Sequence, residues 1–187
     1  MENIKSYDSQ IELIIGPMFS GKSTELLRRI SRYEAIGKNI LLINSILDTR
    51  TDDSVKTHNN NIKKAIKVNN LKDILQNQEY LNADILGIDE SQFFSDLLEF
   101  VKIAEKTNKT IIIAGLDGDS NREPFGDILK CIPLCNSVDK LSGMCMVKKD
   151  GTPSHFTKRI INSDQQTLIG AKESYMTVSR SGYFNMN

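Results

Sequence analysis

An octapeptide, Gly16-Pro17-Met18-Phe19-Ser20-Gly21-Lys22-Ser23, constrains this chain more than any other stretch, because it fits G-x-x-x-x-G-K-[ST] in the setting that gives the pattern meaning. The apolar run IELIIG (11 to 16) leads into it. STELLRRISRYEAIG follows, with Leu26, Leu27, Ile30 and Tyr33 on one helical face and Gly37 placed as a helix stop. A strand–loop–helix of this kind turns successive backbone N–H groups toward a phosphate chain and adds the positive end of the helix dipole. Within it Lys22 can reach the β and γ phosphates, and the Ser23 hydroxyl can ligate magnesium.

The rest of the chain supplies a parallel sheet for that unit. NILLIN (39 to 44), DILGID (84 to 89), TIIIAGLD (110 to 117) and VDKLSGMCM (138 to 146) read as further strands, several apolar on both faces as a helix-covered sheet requires. A second helix is predicted from an N-cap at Ser95, with Asp96 and Glu99 in its first turn and Leu97, Leu98, Val101 and Ala104 along it. Shorter helical stretches are expected near 71–78 and 124–131, and a loop over the polar stretch 48–64. The pattern changes near residue 146, where Asp150-Gly151 is a hairpin-turn dipeptide and the remainder is polar with short apolar pieces. The expected division is an α/β nucleotide-binding domain over 1–145 and a small β-rich lid over 146–187.

Composition narrows the partners. With 24 basic and 24 acidic residues among 187, the chain lacks the cationic excess that phosphate-backbone binding needs, so nucleic acid is not expected. Its apolar runs are far shorter than the 18 or more residues of a spanning helix, so no membrane is expected either. Three cysteines form no closed disulfide set and no apolar leader follows MENIKSYDSQ, which points to a reducing, cytoplasmic address.

Asp89-Glu90 closes the strand DILGID. An acid there faces the phosphate site across the carboxyl edge of the sheet, so Asp89 can hold magnesium and Glu90 can take a proton. The proton can come from water, as in an ATPase, or from a substrate hydroxyl, as in a kinase. A guanine-reading N-K-x-D is absent, because Asn108-Lys109 runs on into Thr110-Ile111.

GPMFSGKSTELLRR, DTR (48 to 50), IDESQFF (88 to 94), LDG (116 to 118), REPFG (122 to 126), TKR (157 to 159) and IGAKESY (169 to 175) then occur in order. This series resembles the type II thymidine kinases. The resemblance runs from about residue 11 to 184 and implies a P-loop (RecA-like) fold with a C-terminal lasso or lid. It implies phosphoryl transfer from Mg-ATP to the 5′-hydroxyl of thymidine or deoxyuridine by a homotetramer. On that likeness Glu90 is the proton acceptor, and Lys22 and Arg50 offset charge on the transferred group. Gly16 to Ser23, Asp48, Thr49, Arg50, Asp89 and Gln92 hold the donor, with Ser23 and Asp89 toward magnesium. Met18, Phe93, Leu116, Ser120 and Phe125 line the nucleoside pocket, and Gln166, Thr167, Leu168, Ile169, Gly170 and Tyr175 form the lasso. A P-loop ATPase module, or a nucleotide-binding relative with altered catalysis, stands as the alternative.

Two departures from the family pattern qualify the likeness. Ser120 stands where an aromatic is usual, which removes apolar contact from the base pocket. Many members clamp the lid with zinc between two C-x-x-C pairs, which here read Cys145-Met146-Val147-Lys148 and Ser179-Arg180-Ser181-Gly182. One thiolate of four remains, so zinc is not expected. Cys131 and Cys135 sit in the apolar run ILKCIPLC and read as small buried hydrophobes, which leaves a substitute set with Cys145 and His155 disfavoured. His58 reads as a loop residue, and Arg28, Arg29 and Arg32 as a solvated or subunit-facing surface.

Overall fold

The computed structural model describes residues 8–48, 54–56, 62–161 and 174–185. The first half runs β1 (Gln10–Gly16), α1 (Lys22–Glu34), β2 (Ile40–Ser45), β3 (Ser54–Lys56), β4 (Ile62–Lys64), β5 (Ile66–Val68), α2 (Gln78–Asn82) and β6 (Ile85–Ile88). The second half runs α3 (Leu97–Ala104), β7 (Thr110–Leu116), β8 (Ser137–Lys140), β9 (Gly143–Met144), β10 (Pro153–Ser154), β11 (Phe156–Arg159), β12 (Tyr175–Val178) and α4 (Arg180–Asn185). Short 3-10 turns lie at Leu71–Ile74, Ser91–Phe93 and Ile128–Leu134.

Among the described residues, six strands make one parallel sheet in the order β5-β2-β6-β7-β1-β8. Its central strands are apolar on both faces because alternate residues feed two cores. Ile14, Leu42, Ile85, Ile112 and Ala114 meet Leu26, Leu27 and Ile30 of α1 on one side. Leu13, Ile43, Leu86, Ile88, Ile111 and Ile113 meet Leu97, Phe100, Val101 and Ala104 of α3 on the other. Each fully buried side chain of this size stabilises the fold by about 1.5–3 kcal/mol. The result is a helix–sheet–helix sandwich whose strands all end at one edge. The first four predicted strands and the helix after the octapeptide stand where the sequence placed them.

Four expectations change. The run 138–146 is two strands: β8 pairs with β1, and β9 turns away to pair with β10. Leu141 makes the last bond to the sheet, its N–H donating to the Ile15 carbonyl, because β1 ends at Gly16 and offers no further ladder. The stretch 48–64 includes an antiparallel pair, β3 with β4, anchored by Val55, which is buried in the α1-side core beside Ala65. Ser95 is not the cap of α3. Asp96 holds that place, and its carboxylate accepts from the Leu71 and Lys72 amides, joining α3 to the neighbouring turn. Arg29 is no solvated surface group: only its side-chain edge is exposed, and it bridges Glu12 of β1, Glu25 of α1 and Asp139 of β8 at 2.7–2.8 Å.

Residues beyond β8 form two small antiparallel pairs, β9 with β10 and β11 with β12. Asp150-Gly151 turns the chain between β9 and β10, with Asp150 accepting from the Thr152 amide at 2.9 Å and Gly151 at φ +85°. The Met146 amide donates to the Thr177 carbonyl, tying the two pairs together. No helix among the described residues is long and apolar enough to cross a membrane.

Candidate active site

The carboxyl ends of β1, β2, β6 and β7 converge because the strands are parallel, and every described candidate from the main sheet sits on or just past those ends. Gly16 leaves β1 at φ +147°, and a Cβ there would lie 2.6 Å from the Leu141 carbonyl oxygen, so glycine is required by space as well as by conformation. Gly21 caps α1 in the left-handed region at φ +86°. Between them Ser20 Oγ and Lys22 Nζ both donate to the Pro17 carbonyl, at 2.9 and 2.7 Å, which curls the loop around its own lysine. Lys22 is buried at the first turn of α1, with Ser23 next to it. A glycine-flanked loop curled over a buried ammonium at a helix N-terminus has the chemistry that suits a phosphate chain. Thr157 of β11 joins it, its Oγ1 accepting from the Met18 amide at 2.9 Å.

Asp48 lies beyond the end of β2, 5 % exposed, with Asn44 Nδ2 donating to its carboxylate at 3.0 Å and Lys67 Nζ donating to its carbonyl at 2.6 Å. Asp89 follows β6 and is buried; the Glu90 amide donates to its Oδ1 at 3.0 Å. Glu90 is half-buried in a left-handed conformation, φ +48° and ψ +38°, that residues with a Cβ rarely adopt. Gln92 donates from Nε2 to Glu90 Oε2 at 2.7 Å and accepts from the Leu116 amide at 2.9 Å. The sequence reading gave Gln92 to the nucleotide; here both ends of its amide engage protein groups.

Phe93 and Phe125, both half-buried, meet edge to face with ring centres 5.7 Å apart and planes at 88°. Leu116 and Met18 are half-buried at neighbouring strand ends. Of these four expected pocket residues, the two phenylalanines are in contact with each other. Ser120 lies in a loop braced by Asp119, whose carboxylate accepts from the Asn121 and Glu123 amides. Its carbonyl accepts from the Tyr183 hydroxyl at 2.9 Å, and the neighbouring Arg122 guanidinium lies 4.3 Å from the centre of the Tyr183 ring. An aromatic group of α4 therefore steadies the loop that lacks its usual aromatic. Tyr175 is buried at the start of β12, its hydroxyl accepting from Arg159 at 3.2 Å. Thr49, Arg50, His58, Gln166, Thr167, Leu168, Ile169 and Gly170 lie outside the described residues.

The four positions compared with a zinc clamp do come together, but as a hydrogen-bonded cluster. Cys145, 2 % exposed, lies 3.4 Å from Ser179 Oγ and accepts from the Ser179 amide at 3.3 Å. Ser179 Oγ accepts in turn from the Gly182 amide. Burial works to raise the Cys145 pKa, but hydrogen bonds from the Ser179 side chain and from the Lys148, Ser179 and Val147 amides bring it down to about 7. A single thiolate beside a lysine, a serine and a glycine does not make the tetrahedral donor set of structural zinc. Burial pushes the other two thiols up, Cys131 to about 12 and Cys135 to about 11, as expected of cysteines used for packing.

Similarity to known proteins decides the family. The family model described as Thymidine kinase matches residues 9–183. The thymidine kinase of Yaba monkey tumor virus (strain VR587) is 43 % identical over 184 residues, 98 % of this chain and 99 % of that protein. This chain belongs to the thymidine kinase family. Its relatives extend beyond viruses: the cytosolic thymidine kinase of Homo sapiens is 42 % identical over 175 residues, 94 % of this chain and 73 % of that protein. The thymidine kinase of Sheeppox virus (strain KS-1) is 45 % identical over 175 residues, 93 % of this chain and 96 % of that protein. Two contacts have no local sequence signal. No local pattern announces that the Thr157 hydroxyl reaches the phosphate loop. A glutamine after an acidic pair gives no sign of where the two ends of its amide bond.

Proposed function

We propose that this chain is an ATP-dependent thymidine kinase that moves the γ-phosphoryl group of ATP to the 5′-hydroxyl of thymidine or deoxyuridine, giving dTMP or dUMP and ADP. Family membership supports the reaction class. The observation that supports the roles is Glu90, left-handed just past the end of β6, its amide bonded to the Asp89 carboxylate and Phe93 of the Phe93–Phe125 pair three residues on. On this reading a base at that sheet edge serves a donor held by the loop after β1 and a nucleobase held by the aromatic pair.

The backbone of Gly16 to Ser23 cradles the donor phosphates, and Lys22 and Arg50 offset charge on the transferred group. Glu90 takes the 5′-hydroxyl proton. Asp48 and Thr49 border the phosphates. Ser23 and Asp89 are the oxygen donors suited to magnesium, which when bound with ATP offsets phosphate charge. Met18, Leu116, Phe93, Phe125 and the Ser120 loop hold the base, closed over by Gln166 to Gly170 with Tyr175. Little covalent work falls to the protein, because phosphoryl transfer is governed by positioning and charge. The same reading makes residues 1–145 the nucleotide-binding domain and 146–187 the lid, in a cytoplasmic homotetramer without zinc.

Incubation with Mg-ATP and a panel of nucleosides tests the proposal. Thymidine- and deoxyuridine-dependent formation of the 5′-monophosphate supports it. ADP and inorganic phosphate released at the same rate without nucleoside would instead make the chain an ATPase.

A further inference from the structure

We infer that Gln92 is the positioning residue that aims the Glu90 carboxylate, an inference that rests on Glu90 being the base. A left-handed glutamate is held against a conformational cost, so neighbouring structure must fix it. Gln92 is 3 % exposed and sits two residues on, with its amide between Glu90 and the last turn of β7. The chemistry fixes which way that amide faces. The Leu116 N–H can only donate, so it takes the Gln92 oxygen, and this leaves the Gln92 NH2 for the carboxylate. A flipped amide would set N–H against N–H at one end and oxygen against carboxylate at the other.

Two glycines clear the space for this arrangement. A Cβ on Gly115 would lie 2.7 Å from Gln92 Oε1, and a Cβ on Gly126 would overlap the Gln92 carbonyl oxygen. Gly115 belongs to the strand that ends at Leu116, and Gly126 follows Phe125 of the apolar slot. Gln92 therefore fixes the carboxylate by reference to the walls of the nucleoside pocket, so the base and the hydroxyl it serves share one frame. Each end of this amide already serves a protein group, which leaves one N–H and one oxygen lone pair beyond the two bonds. Kinetics separate a positioning role from the cofactor-binding role expected from the sequence.

The test compares Gln92→Met, similar in length with neither bond, and Gln92→Glu, which keeps an acceptor for Leu116 but offers the ionised Glu90 no donor. Each is made alone and in a Glu90→Gln background, with thermal melting and ADP binding recorded to establish folding. Loss of a hydrogen bond to a charged group predicts a kcat lowered about 10- to 100-fold in both single variants, with KM for ATP and thymidine within about threefold. In the Glu90→Gln background Gln92→Met should change residual kcat by less than about twofold, since the group it aims is already gone. A raised KM for ATP with unchanged kcat would overturn the inference and return Gln92 to the nucleotide. So would a full multiplicative loss in the double variant. Near-normal turnover of Glu90→Gln alone would overturn the base assignment first, and the positioning role with it.

Discussion

The Met18 amide and the Thr157 hydroxyl oxygen lie 2.9 Å apart, joining the phosphate loop to β11. Thr157 is 5 % exposed and Met18 half-buried, so this partly buried bond ties the loop after β1 to the C-terminal strand pairs. Thr157→Val keeps the shape and removes the acceptor, at a cost of about 1–3 kcal/mol for the stranded amide. For a chain of this size each kcal/mol is a fall in melting temperature of about 2–4 °C. Thr157→Ser should melt within a degree or two of the unaltered protein. Equal melting of the valine and serine variants would show the bond to be immaterial.

On the proposed reading the edge-to-face Phe93–Phe125 pair supplies apolar contact for the nucleobase. Phe125→Ala removes one face, which at about 1–3 kcal/mol of lost contact predicts a thymidine KM raised about 5- to 100-fold. The ATP KM should stay within about twofold. Steady-state kinetics with each substrate varied in turn would detect an equal rise in both, and that result would place Phe125 outside the nucleoside site.

Cys145, Ser179 and Gly182 pack together through hydrogen bonds and close contact. Purified protein should contain no stoichiometric zinc by elemental analysis, and a zinc-selective chelator should leave turnover unchanged when magnesium is supplied. The triple variant Lys148→Cys, Ser179→Cys, Gly182→Cys should take up one zinc per chain and melt higher with it. One zinc per chain in the unaltered protein would contradict the hydrogen-bonded clamp.

Glu25 tests the ionic brace behind the phosphate loop. A hydrogen bond from Arg28, opposed by burial and reinforced by Arg29, lowers its pKa to about 2 from an ordinary 4.5. A carboxylate with a depressed folded-state pKa contributes stability that is complete above the unfolded value and fades as pH falls through the folded one. The stability difference between the unaltered protein and Glu25→Gln should hold steady above about pH 4.5 and shrink between 4.5 and 2. Denaturant titrations at several pH values measure it. A difference that grows on acidification has the wrong sign for this brace.

How far the sequence could be read depended on the range of the contacts involved. β1, the phosphate loop and α1 are legible because strand, turn and helix signals are local and agree with one another. Asp89 and Glu90 are legible because strand ends share an edge in a parallel sheet. Residues 138–146 were misread because their composition suits a strand throughout, whereas the ladder stops where β1 becomes the phosphate loop. The three-carboxylate brace of Arg29 is not legible as such, because two of its partners, Glu12 and Asp139, lie on other elements, a relation no helical wheel contains. The Gln92 and Thr157 contacts are of the same kind, side chains whose partners lie 24 and 139 residues away.

The most direct measurement is the rate of dTMP formation by Glu90→Gln at saturating Mg-ATP and thymidine, alongside its affinity for ATP. The substitution keeps size and removes the proton acceptor, so turnover should fall about 10²- to 10⁴-fold with ATP affinity nearly unchanged. Turnover within a few-fold of the unaltered protein would contradict the assignment of Glu90 as the base that takes the 5′-hydroxyl proton.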